Sequence, residues 1–282
     1  MPCDDREIKA LPWITANGIS IHYRLDGKGG PSVVLLHEMG GTLDSWDAIA
    51  PALAGSFRVL RYDQRGAGLS EKVRQPFTFE TQVDDLEAVL DALALTAPFH
   101  FVTVAAATAQ ALCFMERHPS RVGSFVFCNP LAGIDPSRAS ALDERADFAA
   151  REGMRAGLAV TLDKSWPSEI GDSAAHEAYR GRYLANDPVC FGAINRVLAR
   201  TNVTHLVKRI ACPTMIVAGR FDQVRPPAGS EQMAREIRGA RFELIDAVHM
   251  MPAQAPGPLL ALLKDFLTTA AAPQAQGASQ TS

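Results

Sequence analysis

The chain has 282 residues, 47% of them hydrophobic, with 28 basic and 31 acidic side chains and a net charge of -3. That suffices for one large core with an insertion, or for two modest domains. The balanced charge excludes a basic stripe for nucleic acid and an acidic tail, and no apolar run is long enough to span a bilayer. Cys3, Cys113, Cys128, Cys190 and Cys212 are scattered, odd in number and without C-x-x-C spacing, so neither a disulfide framework nor a zinc site is expected. The polar start, Met1-Pro-Cys-Asp-Asp-Arg-Glu, lacks the make-up of a signal peptide. The expectation is a soluble, cytoplasmic protein without a cofactor or metal and without nucleic-acid or membrane partners. Its partner is a small-molecule substrate, and a homodimer is left open.

Strand and helix patterns alternate along the chain. Residues 19–23 follow an Asn17-Gly18 turn signal and read as the second arm of a hairpin begun near Trp13. Residues 33–36 are all apolar, the pattern of a strand buried on both faces. Residues 57–62 form another strand, and Val83, Leu86, Leu90 and Leu93 then recur at helical spacing. A strand at 99–104 precedes a helix at about 107–118, and strands follow at 124–128, 215–218 and 242–245. Helices near 231–237 and 259–267 close the pattern. Such alternation predicts an α/β fold with a mostly parallel sheet covered on both faces.

Between about Asp135 and Thr204 strand-like runs vanish and helical segments dominate, broken at Trp166-Pro167. The chain therefore divides into a core half at 1–134, a helical insertion at 135–204 and a second core half at 205–267. The tail at 268–282 cannot bury a hydrophobic face and is expected to be disordered.

Four turns fall where parallel sheets place their ligands, at the carboxyl ends of strands. His37-Glu38-Met39-Gly40-Gly41 follows the first buried strand, and its glycines let backbone N–H groups approach a developing oxyanion. Glu38 adds a carboxylate there, with a solvated turn residue or a partner for Arg65 as the plainer reading. In Tyr62-Asp63-Gln64-Arg65-Gly66-Ala67-Gly68-Leu69-Ser70, Asp63 and Arg65 are expected to hold a loop whose glycines relax the backbone. Asp222 stands after the strand at 215–218, and His249 after the strand at 242–245. A single histidine there is more often structural than catalytic; the order of all the pieces is what points to chemistry.

The piece at 101–108 reads Phe-Val-Thr-Val-Ala-Ala-Ala-Thr, in the place of a G-x-S-x-G nucleophile elbow. Thr103 takes the first glycine, Ala105 the nucleophile and Ala107 the second glycine. From about Trp13 to Leu267 the chain resembles the α/β-hydrolase superfamily, whose triad order is nucleophile, acid, histidine. The matching positions are Ala105, Asp222 and His249. Within it the chain is most similar to the 3-oxoadipate enol-lactonase group, through Arg61-Tyr-Asp-Gln-Arg-Gly66, Phe127-Cys-Asn129, Tyr179-Arg-Gly-Arg182, Asn186-Asp-Pro188 and Cys212-Pro213-Thr214. The resemblance implies an eight-stranded sheet with a helical cap and hydrolysis of esters, lactones, amides or carbon–carbon bonds without a cofactor. It also implies that Met39 and Ala106 supply the oxyanion-hole N–H groups. Arg180 and Arg182 in the insertion are candidates to hold a substrate carboxylate, with a solvated helix face as the plainer reading.

The departures are Glu38 and Val248 where the family has glycine, Thr103 at the first elbow glycine and Thr108 at the third small position. A methyl group at 105 cannot attack a carbonyl. Serine or cysteine replaced to trap a substrate, a natural enzyme using His249 and Asp222 as a general base, and a ligand-binding pseudoenzyme all fit an alanine there.

Overall fold

Residues 12–272 are described by the computed structural model. Strands β1 (Trp13–Ala16) and β2 (Ile19–Asp26) form the predicted hairpin. Its turn residues Asn17 and Gly18 lie at φ 46° and 75°, as a two-residue hairpin turn requires. Strand β3 (Ser32–Leu36) is buried along its whole length. A one-turn helix α1 (Ala50–Leu53) leads to β4 (Arg58–Tyr62), and α2 (Phe79–Ala92), β5 (Phe99–Val104), α3 (Ala107–Arg117) and β6 (Val122–Cys128) follow. Helix α2 starts a turn before the first of its periodic apolar residues. There Thr78 and Thr81 cap each other's backbone N–H groups, a reciprocal cap in which threonine stands for the usual Glu or Gln.

Four helices then intervene: α4 (Ala139–Glu152), α5 (Leu162–Ser165), α6 (Ser173–Leu184) and α7 (Pro188–Ala199). Strand β7 (Thr214–Gly219), α8 (Pro227–Glu236), β8 (Arg241–Ile245), the short α9 (Met251–Gln254) and α10 (Pro256–Ala270) complete the chain. The eight strands form one sheet in the order β1-β2-β4-β3-β5-β6-β7-β8. The β1–β2 and β2–β4 pairs are antiparallel and all the others parallel.

Side-chain alternation along the central strands assigns each face its own filling. Phe99, Phe101, Phe125 and Phe127 point to the α2–α3 side and pack with Phe114. Val33, Leu35, Val102, Val104, Val126 and Val217 point to the other side, under α1 and α10. The four intervening helices build a third cluster around Trp166, Tyr179, Tyr183 and Phe191, and it reaches the loop residues Met39, Val248 and Met250. That contact sets the helices over the carboxyl ends of the strands.

No helix among the described residues is long and apolar enough to cross a membrane. The predicted tail begins too early: α10 continues past Leu267 to Ala270. Buried Leu259, Leu263 and Leu267 anchor the helix, and that anchoring outweighs the modest helix penalty of Thr268 and Thr269 before Ala270. The rest of the predicted tail and the polar N-terminal stretch lie outside the described residues.

Candidate active site

Asp222 and His249 arrive from neighbouring parallel strands and meet. His249 Nδ1 lies 2.7 Å from Asp222 Oδ2, and both residues are buried. Asp222 Oδ1 accepts the backbone N–H groups of Val224 and Arg225, each at 2.8 Å. With Nδ1–H donated to the carboxylate, the lone pair of His249 is left on Nε2, and the ring lines a cavity. Asn129, at the end of β6, ties the two loops together. Its Nδ2 donates to the carbonyls of Val248 and His249, both at 3.2 Å, and its Oδ1 accepts the Gly219 N–H at 2.8 Å. This clamp was missed in the sequence, where Asn129 stood only inside a resembling tripeptide. Its signal was a lone buried polar residue ending an apolar strand.

Ala105 sits on the turn from β5 into α3 at φ 50°, a backbone conformation that costs an L-residue about 1–2 kcal/mol. Its N–H donates to the Cys128 carbonyl at 3.0 Å and its carbonyl accepts from the Leu131 N–H at 3.1 Å, so the end of β6 and the loop after it hold the turn. The elbow's shape therefore persists although its residue carries no attacking atom. Thr103, where a glycine is usual, is fully buried, and its hydroxyl pairs with that of Thr108 at 3.0 Å. The two departures from the elbow pattern thus satisfy each other. Ala105→Gly is expected to raise stability by about 0.5–1 kcal/mol by relieving the positive φ. A urea midpoint at or below the parent's would show that the turn is not strained.

The turn after β3 is fixed by His37, whose Nε2 accepts the Gln64 N–H at 3.0 Å while Nδ1 lies 2.8 Å from the Glu38 carbonyl. Met39 and Ala106 both line the cavity. Among the described residues neither backbone N–H donates a hydrogen bond. Met39, Ala106, His249 and Ala105 thus border one space of about 160 Å³, about the size of a cavity that holds one benzene ring. Gly40, at φ 81°, is required where the turn meets the helices above it, since a Cβ there would come within 2.7 Å of the Tyr183 ring.

Two expectations for Glu38 are corrected. It is neither solvated nor Arg65's partner. Glu38 is 1% exposed, and its Oε1 accepts from Ser45 Oγ at 2.8 Å and from the Tyr179 hydroxyl at 2.5 Å. Its other oxygen is buried without a partner. Burial and the Glu38 charge push the Tyr179 phenol well up, so it remains a donor. Arg65 instead forks onto Asp85, through Nε at 2.8 Å and Nη2 at 2.5 Å. Asp63 holds the neighbouring loop as expected, accepting the N–H groups of Leu43 and Leu69 and facing His22 Nδ1, all at 2.8 Å.

The arginine candidates are corrected as well. Helix α6 turns His176, Tyr179 and Tyr183 inward, at the spacing of one helix face, which leaves Arg180 and Arg182 on its flanks. Arg180 faces Glu177 at 3.7 Å, and the Arg182 guanidinium lies over the Tyr179 ring, 5.7 Å from its centroid. Neither lines the cavity; Arg138, Arg145, Lys164 and Arg225 do.

A strand-turn-helix elbow, an acid–histidine pair from the next strands and a helical layer over a mostly parallel sheet define the α/β-hydrolase fold, and the proteins similar to this chain mark it as a hydrolase-type enzyme. The family model described as "alpha/beta hydrolase fold" matches residues 31–159. Among its relatives the chain is similar to the enol-lactonases. It is 26% identical to 3-oxoadipate enol-lactonase 1 of Acinetobacter baylyi over 267 residues, 93% of this chain and 98% of that protein. The enol-lactonase from Burkholderia xenovorans LB400 superimposes with a TM-score of 0.84 at 26% identity, over 91% of this chain and all (100%) of that one. A malate-bound thermophilic esterase from Thermogutta terrifontis does so with a TM-score of 0.86 at 25% identity, over 92% and 98% of the two chains.

Proposed function

We propose that the protein hydrolyses a small ester, lactone or amide without forming an acyl-enzyme. His249, held by Asp222, takes a proton from water as the water oxygen bonds to the carbonyl carbon. The Met39 and Ala106 N–H groups receive the negative charge on the carbonyl oxygen, and the imidazolium then returns the proton to the leaving oxygen or nitrogen as its bond to the acyl carbon breaks. The observation that carries this reading is the convergence of two unpaired N–H groups and the Nε2 side of His249 on one small cavity. The likeness to enol-lactonases supports a lactone or similar acyl compound. Ala105 removes the covalent route, and a serine hydrolase without its nucleophile loses about 10⁶ in rate yet keeps about 10³–10⁴ over water. Turnover in this form is correspondingly slow.

A second reading is favoured by the alanine itself. With a methyl where an attacking oxygen would stand, His249 can take a proton from a substrate carbon, as a lyase or decarboxylase requires, and the same N–H pair would stabilise an enolate.

Incubation with a panel of activated esters, saturated lactones and diketones in deuterated water, read against an enzyme-free control for spontaneous exchange, tests both; enol-lactones are followed for ring opening alone, because the enol they release takes up deuterium as it ketonises. Hydrolysis without deuterium on carbon, lost in His249→Ala, is the expected result. Deuterium incorporation at carbon, also lost in that variant, establishes the second reading. Substrates that bind and persist unchanged would make the protein a ligand binder and overturn both.

A further inference from the structure

Four cations line the cavity: Arg138 at the N-terminal end of α4, Arg145 within it, Lys164 on α5 and Arg225 after β7. Among the described residues none of them lies within ion-pair distance of a carboxylate, although most other arginines in the fold are so paired. Arg138 and Lys164 are exposed, but Arg145 and Arg225 are recessed. Arg145 is aimed: its Nε donates to Asn195 Oδ1 at 2.6 Å, and Asn195 is itself fixed by donating to the Phe191 carbonyl at 2.7 Å. That leaves both Nη groups of Arg145 without a partner. The Arg225 guanidinium makes no hydrogen bond among the described residues, and only its backbone N–H is used, by Asp222.

Holding like charges together in a half-dry wall costs free energy. Both guanidiniums register it: burial, then the charge of Arg138, lowers Arg145, and the same two causes bring Arg225 down to about 10. Glu38, the one carboxylate in the cavity wall, is held through Oε1 by Ser45 and Tyr179 and pairs with none of the four cations. Acceptors for the recessed forks must therefore come from outside the chain. One carboxylate satisfies one guanidinium fork. Arg145 stands on α4 in the helical layer and Arg225 on the loop after β7, and each presents a fork of its own to the cavity.

We propose that the acyl substrate is a dicarboxylate, with one carboxylate held by Arg145 and the other by Arg225, and with Arg138 and Lys164 attracting it to the mouth. The mouth is placed for this. Arg138, Arg145, Ile134, Leu142 and Val160 line both the cavity and the wider groove outside it. Four cations against the single carboxylate of Glu38 in the cavity wall raise the local concentration of an anionic ligand, although Glu144 and Asp147 also line the outer groove. The inference rests on this cavity's being the substrate site proposed above, but it concerns binding and not the bond that is broken.

The test is calorimetric titration of the full chain with the dicarboxylates malonate, succinate, glutarate and adipate, alongside the monomethyl ester of each and inorganic phosphate. These probes carry no bond that the parent must cleave in order to bind them. One dicarboxylate of the series is expected to bind at least about thirtyfold tighter than its monomethyl ester, and Arg145→Gln and Arg225→Gln should each weaken it by a similar factor. Arg145→Lys and Arg225→Lys should retain part of the affinity, and melting curves identify any variant that has failed to fold. If one has, a salt-dependent loss in the exposed Arg138→Gln carries the test instead. Equal affinity for every diacid and its monoester, or tighter binding of inorganic phosphate than of any diacid, overturns the proposal. Ester turnover without diacid preference would leave the hydrolase reading standing and remove this one. Diacid preference without any turnover would do the reverse.

Discussion

Ala105→Ser is expected to raise hydrolysis of an activated ester such as p-nitrophenyl acetate by at least about 10³, with about 10⁶ as the ceiling set by the worth of a nucleophile in a comparable site. The surroundings of residue 105 need little change. The backbone already holds the positive φ of an elbow, at 50°. The residue lines the cavity with His249, Met39 and Ala106, and the histidine is already turned by Asp222 at 2.7 Å. Thr103 does not compete, because its hydroxyl is paired with Thr108 at 3.0 Å. Cysteine is expected to act as well, since its thiolate is the better nucleophile on an activated ester. The gain should disappear in Ala105→Ser/His249→Ala. The check is steady-state kinetics with burst analysis, because a serine that forms an acyl-enzyme shows a burst that the parent lacks. A folded serine variant within tenfold of the parent would mean that the acid–histidine pair is not poised on residue 105.

Arg65→Met is expected to cost about 3–5 kcal/mol of stability, the penalty for leaving a buried charge without its partner. Asp85 stands on α2 with its side chain 2% exposed, and Arg65 forks onto it with its own side chain 10% exposed. Burial already pushes the Asp85 carboxyl up, against the pull of Arg65 and of Asn17, whose Nδ2 donates at 2.8 Å. Without the guanidinium the carboxylate keeps only the Asn17 amide. A carboxyl raised in the folded state binds protons more readily folded than unfolded. Its stability contribution therefore falls as pH rises from the ordinary carboxylate range to the raised value. The deficit of Arg65→Met should thus be larger at pH 7 than at pH 4.5. Urea unfolding at the two pH values measures it, and Arg65→Met/Asp85→Leu should recover much of the loss. An equal deficit at both pH values would mean that the pair is held by packing and not by charge.

The sheet was legible because its signals are local. Buried parallel strands are short and wholly apolar, as at 33–36, and an Asn-Gly pair between two strand patterns has few other uses. Asp222 and His249 were legible through chain order, since each ends a strand at the same edge of the sheet. What escaped was set by distance across the fold. Glu38 meets Tyr179 across 141 residues, and no pattern near Glu38 announces a buried phenol as its donor. Arg180 and Arg182 looked suited to a carboxylate by residue type, but the rotation of α6 is decided by its buried tyrosines, and that rotation turns both arginines away. Arg145 and Arg225 drew no notice because they lie on separate elements, α4 and the loop after β7, and come to line one cavity only when the helical layer settles on the sheet.

The helical layer leaves and rejoins the sheet domain at nearly one point. Gly133 and Asn202 form an isolated antiparallel bridge, flanked by hydrogen bonds from Ile134 N–H to the Thr201 carbonyl at 3.1 Å and from Val203 N–H to the Ala132 carbonyl at 2.7 Å. A Cβ at Gly133 would come within 2.9 Å of the Asn202 side chain, so the two passing strands are pressed together. To the sheet domain, everything between them is a hairpin loop of unusual length. Such a junction makes the layer a cassette. Different helices can be spliced in between the same two residues without moving the strands that carry Ala105, Asp222 and His249. The substrate contacts that the layer supplies, Arg145 among them, can then diverge while Asp222, His249 and Arg225 stay on the other side of one backbone bridge.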